Sequence, residues 1–127
     1  MQPVDRRRNP LVLLVEDDPG LREAVVRGLA KAGYQVAAAG SGREAVEAAQ
    51  ELHPDAVVMD VMLPDGQGST AAAAIRGQEG LRAVPVLFVT AQAPAVVGDS
   101  LFPAPVLYKP FTYRQLVASV RELVRAA

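Results

Sequence analysis

The sequence predicts an α/β domain built on a doubly wound, five-stranded parallel sheet. Three observations predict it. Short apolar runs alternate with segments of helical period, several of those runs end on a polar or charged residue, and caps and turn residues mark the boundaries. Strands buried on both faces of a parallel sheet read as continuous apolar runs, and parallel neighbours need a crossover between them, usually a helix. At 127 residues the chain is long enough for one domain with a real core.

Leu11–Val15 (LVLLV) is the first strand. Asp18 then offers an N-cap and Pro19 suits the first helical position. Leu21, Val25, Gly28, Leu29 and Ala32 line one face of that helix, and Gly33 suits its stop. Tyr34–Ala39 reads as the second strand, and Ser41 with Glu44 has capping-box spacing for a helix to about Leu52. His53, the lone histidine, precedes Pro54 and reads as a surface residue at a turn. Ala56–Met59 is a third apolar strand, ending on Asp60. The turn-rich LPDGQG leads to a helix from about Ser69 to Gln78, where Ala71–Ala74 supply helix propensity but little area to bury.

Val84–Val89 is the fourth strand, ending on Thr90. The segment AQAPAVVGDSLFPAP after it carries Pro94, Gly98, Pro103 and Pro105, all helix breakers. A short or distorted fourth helix, about Pro94–Val97, followed by an extended segment is therefore expected. Phe102 in that segment is expected to pack back onto the sheet, a partner anchor being the alternative. Val106–Tyr108 is the fifth strand, ending on Lys109. Thr112 and Gln115 cap a last helix whose apolar face is Leu116, Val117, Val120, Leu123 and Val124.

Composition narrows the function. A net charge of -1 gives no general electrostatic reason to bind nucleic acid or anionic lipid. No apolar run approaches the roughly 20 residues that span a bilayer. The absence of cysteine excludes disulfides and thiolate metal sites and is compatible with the cytoplasm. Residues 1–9, with Arg6–Arg8, read as a flexible basic N-terminal tail before a domain at 10–127. A twin-arginine signal does not fit, because the apolar segment that follows is short and runs directly into acids.

In an open parallel sheet, ligands bind outside the carboxyl ends of the strands. Those ends carry Glu16 and Asp17 after strand one, Asp60 after strand three, Thr90 after strand four and Lys109 after strand five. Singly, each has an ordinary structural reading, and Asp18 takes the N-cap reading here. Jointly, three carboxylates on one edge would raise each other's pKa unless a cation joined them. Magnesium suits such a site, since it favours oxygen ligands and is held by one or two carboxylates plus phosphate oxygens. A lysine and a threonine hydroxyl beside the ion suit a phosphoryl group. The pattern reads as a Mg²⁺-assisted phosphoryl-transfer site with a carboxylate nucleophile.

The pieces LLVEDDP, PDAVVMDVMLPDGQG, VPVLFVTA and LYKPFT, spread from Leu11 to about Val124, resemble the receiver domain of bacterial two-component response regulators. The resemblance implies a flavodoxin-like receiver fold with strand order 2-1-3-4-5. It implies that Asp60 accepts a phosphoryl group from a phosphohistidine on a sensor histidine kinase or phosphotransfer protein. Asp17 and Asp60 would bind Mg²⁺ directly, Glu16 through water, and the Met62 carbonyl would complete the protein ligands. Thr90 would turn toward the phosphoryl group, Lys109 would pair with it, and the Lys109–Pro110 bond would be cis. The implied protein is a cytoplasmic switch that helps to catalyse its own phosphorylation and dephosphorylation, not a turnover enzyme. It would act on a downstream protein not named by the sequence, without nucleic acid or membrane binding through this domain, and a homodimer is among the expected assemblies.

The chain departs from the family pattern in places. Three positions before the lysine, where the family usually has an aromatic residue, this chain has Val106, with Tyr108 adjacent to Lys109. Gln67 stands where an aspartate is frequent, while Gly68 fits. Met62 and Gln92 follow Asp60 and Thr90 by two residues, where family members tune dephosphorylation. Two alternatives follow: a degenerate receiver that binds partners without phosphorylation, or a Mg²⁺-dependent phosphohydrolase with an aspartyl nucleophile. Met62 counts against the second, because such enzymes commonly need a general-acid aspartate there. The chain ends just after the fifth helix, as a stand-alone regulator or a fragment of a longer regulator or hybrid kinase would.

Overall fold

The computed structural model describes residues 9–126. Leu11–Val15 (β1), Gln35–Ala39 (β2), Ala56–Asp60 (β3), Val86–Thr90 (β6) and Val106–Tyr108 (β7) form one sheet, all pairs parallel, in the order β2-β1-β3-β6-β7. Met62–Leu63 (β4) and Gly66–Gln67 (β5) form a small antiparallel hairpin directly after β3. With that hairpin set aside, the order is the expected 2-1-3-4-5. The helices are Pro19–Lys31 (α1), Gly42–Leu52 (α2), Gly68–Arg76 (α3), Pro94–Val97 (α4) and Tyr113–Arg125 (α5).

Alternation along the strands divides the core into two layers. Val12, Leu14, Val58, Leu87 and Val89 face Val25 and Leu29 of α1 and Leu116, Val120 and Leu123 of α5. Leu13, Val15, Val57, Met59, Val86 and Phe88 face the other way, against α2, α3 and α4. The alanine run of α3 has a packing role: Ala71 and Ala72 lie in this layer with Ala45 and Ala49 of α2. Small side chains let the two helices approach closely; a Cβ at Gly42 would stand 3.3 Å from that of Ala71.

The helix ends follow local chemistry. Asp18 accepts hydrogen bonds from the amides of Gly20 (3.0 Å) and Leu21 (3.4 Å), with Pro19 at the first position. Thr112 and Gln115 close a full capping box on α5. The box expected at α2 is displaced: Ser41 Oγ accepts from the Glu44 amide (3.2 Å), but the Glu44 carboxylate accepts from Gly40 (2.9 Å), one residue earlier. Asp65 reinforces that terminus from the hairpin, accepting from the amides of Gly42 (2.8 Å) and Arg43 (2.9 Å). Those two bonds hold the Asp65 carboxyl below its usual pKa. Gln67, at the N-cap of α3, makes no side-chain cap bond.

Several boundaries differ from the sequence reading. The fourth strand of the sheet begins at Val86 instead of Val84, because Pro85 has no N–H for the ladder; its carbonyl still accepts from Val57 (2.9 Å). The fourth helix is short, as expected, but the segment after it is not extended. It folds into consecutive turns, with Ser100 N–H bonded to Val97, Phe102 to Asp99 and Ala104 to Leu101. Phe102 does not pack onto the sheet: it is 80% exposed, and Leu101 turns inward in its place. Tight turns point successive side chains in different directions, so one of the two has to face outward. His53 is exposed at the left-handed C-cap of α2, and both Phe102–Pro103 and Lys109–Pro110 are cis. Asn9, assigned to the tail, donates to the Gly33 carbonyl and accepts from Gln35; residues 1–8 of the tail lie outside the described residues, as does Ala127. Among the described residues no helix is long and apolar enough to cross a membrane.

Candidate active site at the carboxyl edge

Beyond Val15 the chain leaves the sheet and drops its acids in three directions. Glu16 turns inward and is only 2% exposed, Asp17 faces solvent, and Asp18 caps α1. Arg22, one turn into α1, reaches back with one guanidinium nitrogen to the carbonyls of Glu16 (3.0 Å) and Asp17 (3.5 Å). It thereby fixes the backbone that carries both acids. Sequence reading missed Arg22, because its role depends on where two carbonyls point.

Asp60 ends β3 and is 6% exposed. Its Oδ1 accepts from the Met62 amide (3.2 Å), and its Oδ2 accepts from Lys109 Nζ (2.8 Å). The same Nζ donates to Glu16 Oε1 (2.7 Å), whose other oxygen accepts from the Asp18 amide (3.1 Å). Lys109 is itself anchored through its backbone, N–H to the Thr90 carbonyl at 2.7 Å. Thr90 is 1% exposed and its Oγ1 accepts from the Gln92 amide (3.0 Å). Tyr108 pairs with Thr90 in the β6–β7 ladder, and both Tyr108 and Val106 pack on the layer that holds α2 and α3.

Gly68 shapes the floor. Its N–H donates to the Val61 carbonyl (2.7 Å), and any Cβ there would overlap the Asp60 carbonyl oxygen and lie 2.8 Å from Met59 Cγ. The start of α3 can therefore lie against the end of β3 only with glycine at this position. Above Asp60 is a cleft of about 310 Å³ bordered by Met62, Thr90, Gln92 and Lys109.

Charge is unbalanced here. Burial is the main influence raising the Glu16 pKa; the Asp60 charge adds to it, while bonds from Lys109 and the Asp18 amide offset part of it. For Lys109, burial disfavours the charge, but hydrogen bonds to Asp60 and Glu16 outweigh it and raise its pKa, so it stays protonated. One ammonium thus answers two buried carboxylates, Glu16 and Asp60, with the exposed Asp17 beside them. Glu16, Asp17 and Asp60 each offer a carboxylate oxygen, all within 4.8 Å of one another. Ligand oxygens about 2.0–2.1 Å from a magnesium ion lie up to roughly 4.2 Å apart, so small side-chain rotations would fit this donor set to it. The hard, all-oxygen chemistry suits the same ion.

The structure thus brings Glu16, Asp17, Asp60, Thr90 and Lys109 to one edge, with Met62 beside Asp60 on β4. Comparison with known proteins bears on the same arrangement. A family profile described as the response regulator receiver domain matches residues 12–121. The transcriptional regulatory protein GltR of Pseudomonas aeruginosa is 35% identical over 119 residues, 91% of this chain and 49% of the relative. The DNA-binding response regulator MtrA of Mycolicibacterium smegmatis is 35% identical over 117 residues, 90% of this chain and 50% of the relative. The chain spans about half the length of these curated relatives. Among solved structures, chemotaxis protein CheY4 of Vibrio cholerae superposes with a TM-score of 0.82 at 30% identity, covering 91% of this chain and 98% of the other. The receiver domain of sensor histidine kinase PA1611 from Pseudomonas aeruginosa, solved with magnesium coordinated in its active-site cleft, gives 0.81 at 31% identity, covering 92% and 98%.

Proposed function

The chain belongs to the response regulator receiver domain family, and from that premise we propose that Asp60 is a phosphoacceptor and the domain a signalling switch. The observation that carries the proposal is the placement of Asp60: nearly buried, bonded to Lys109, and within reach of Glu16 and Asp17.

A carboxylate oxygen of Asp60 attacks the phosphorus of a phosphohistidine on a histidine kinase or phosphotransfer protein. The new O–P bond forms as the P–N bond breaks, and the imidazole leaves with its electron pair. Asp17, Asp60 and the Met62 carbonyl would hold Mg²⁺, with Glu16 acting through water. When bound, the ion neutralises charge developing on the phosphoryl oxygens. Lys109 stays protonated beside Asp60 and pairs with a phosphoryl oxygen once Asp60 is phosphorylated. The Thr90 hydroxyl turns from the Gln92 amide to donate to another. That movement frees the segment after Thr90, which gives the added charge a structural readout. Met62 carries a thioether, which can neither protonate an alcohol leaving group nor take a proton from water, so the position two after Asp60 offers no general acid or base for phosphatase turnover.

Incubation with acetyl phosphate and Mg²⁺, read by intact mass, tests the proposal. Wild type is expected to gain one phosphoryl group, lost in mild alkali as an acyl phosphate is, and Asp60→Asn to gain none. Equal labelling of the two proteins would overturn it.

A further inference from the structure

We infer that Met62 is an oxidation site through which hydroperoxides slow the chemistry at Asp60. Three observations meet there. Met62 is 60% exposed, whereas Met59 on the same segment is fully buried. The Met62 sulfur lies 3.4 Å from Gln92 Nε2, so the two side chains bridge the cleft above Asp60. Both are also wired to the site through backbone: the Met62 amide donates to Asp60 Oδ1, and the Gln92 amide to Thr90 Oγ1.

The chemistry is a two-electron oxidation. The thioether sulfur attacks one peroxide oxygen, the O–O bond breaks, and that oxygen stays on sulfur. The departing alkoxide or hydroxide takes a proton and leaves as alcohol or water, so sulfur is oxidised and the peroxide reduced. A thioether is a weak acceptor, while a sulfoxide oxygen is polar and accepts strongly. The Gln92 amide already points at that sulfur and is placed to donate to the new oxygen. The bridge then tightens, and an extra partly negative oxygen occupies the cleft mouth. Both changes oppose entry of an anionic phosphodonor, and the first also restrains the segment that follows Thr90.

The inference rests on Asp60 as phosphoacceptor, and two separate readouts test it. After treatment with hydrogen peroxide, fragment-ion mapping should find Met62 oxidised and Met59 intact. Labelling by acetyl phosphate should then slow about tenfold, the effect of one hydrogen bond's worth of barrier, and methionine sulfoxide reductase should restore the rate. In Met62→Leu, peroxide should leave the variant's own rate unchanged. Gln92→Ala should oxidise at Met62 but lose most of the slowing. Independently of phosphoryl chemistry, backbone exchange at Gln92 should slow on oxidation of wild type but not of Met62→Leu. Unchanged labelling after full oxidation, the same slowing in Met62→Leu or in Gln92→Ala, or unchanged exchange would each overturn the inference. If untreated wild type takes no phosphoryl group, the phosphoacceptor reading falls, while the exchange measurement still decides whether oxidation closes the bridge.

Discussion

At Lys109 a single ammonium answers two buried carboxylates, Glu16 and Asp60. Removing one partner of a buried ionic cluster leaves uncompensated charge, so Lys109→Met should lose about 3 kcal/mol of stability in urea denaturation at neutral pH. Glu16 gives a second handle. Burial raises its pKa in the folded protein above the ordinary 4.5, so the folded chain holds this proton more tightly than the unfolded chain does. Its contribution to stability should therefore decline as pH rises from about 4.5 through the raised value, and Glu16→Gln should remove that decline from the urea midpoints. Lys109 has the same sign in a far more alkaline window: its raised pKa makes its contribution complete below 10.5 and lost as pH climbs past the folded value. These residues were legible in the sequence because each ends an apolar strand, and a parallel sheet gathers its strand ends. Arg22 and Asp65 were not, because both act on backbone groups whose directions are set only once helix, turn and strand are assembled.

At the level of elements, the junction of β3 with α3 is the most constrained. Gly68 lies where a side chain would strike the Asp60 carbonyl, so Gly68→Ala has to push the start of α3 away from the phosphoacceptor strand. We expect a loss of about 3 kcal/mol in chemical denaturation, at the upper end for overpacking, together with slower acetyl phosphate labelling. An unchanged midpoint would show that α3 can shift freely. Strands were readable as short continuous apolar runs, and long helices because their apolar period repeats over several turns. The β4–β5 hairpin was not, since two-residue strands have no period, although Asp65-Gly66 is a hairpin signal. The segment after α4 was half legible: its prolines predicted a short helix, but not that Leu101 would supply the inward side chain while Phe102 faces out. Choosing between adjacent apolar residues in a turn requires the turn's dihedral angles.

For the molecule as a whole, two apolar layers hold the sheet rigid while its carboxyl edge stores like charge. An ion that binds the folded edge and not the unfolded chain adds stability by mass action, about 2.7 kcal/mol at one hundred times its dissociation constant. Mg²⁺ should therefore raise the melting temperature of wild type. Asp17→Ala should lose that response; Asp18→Ala should keep it, while losing about 1 kcal/mol from the cap of α1. The reverse pattern would mean that the acidic run is assigned in the wrong register.

The most direct test of the central claim is to find which residue carries the phosphoryl group. Borohydride reduces an aspartyl phosphate to homoserine, which marks its position in the peptide. After acetyl phosphate labelling in Mg²⁺, reduction and fragment-ion sequencing, homoserine should appear at position 60. Homoserine at position 17, or none in labelled protein, would contradict the account.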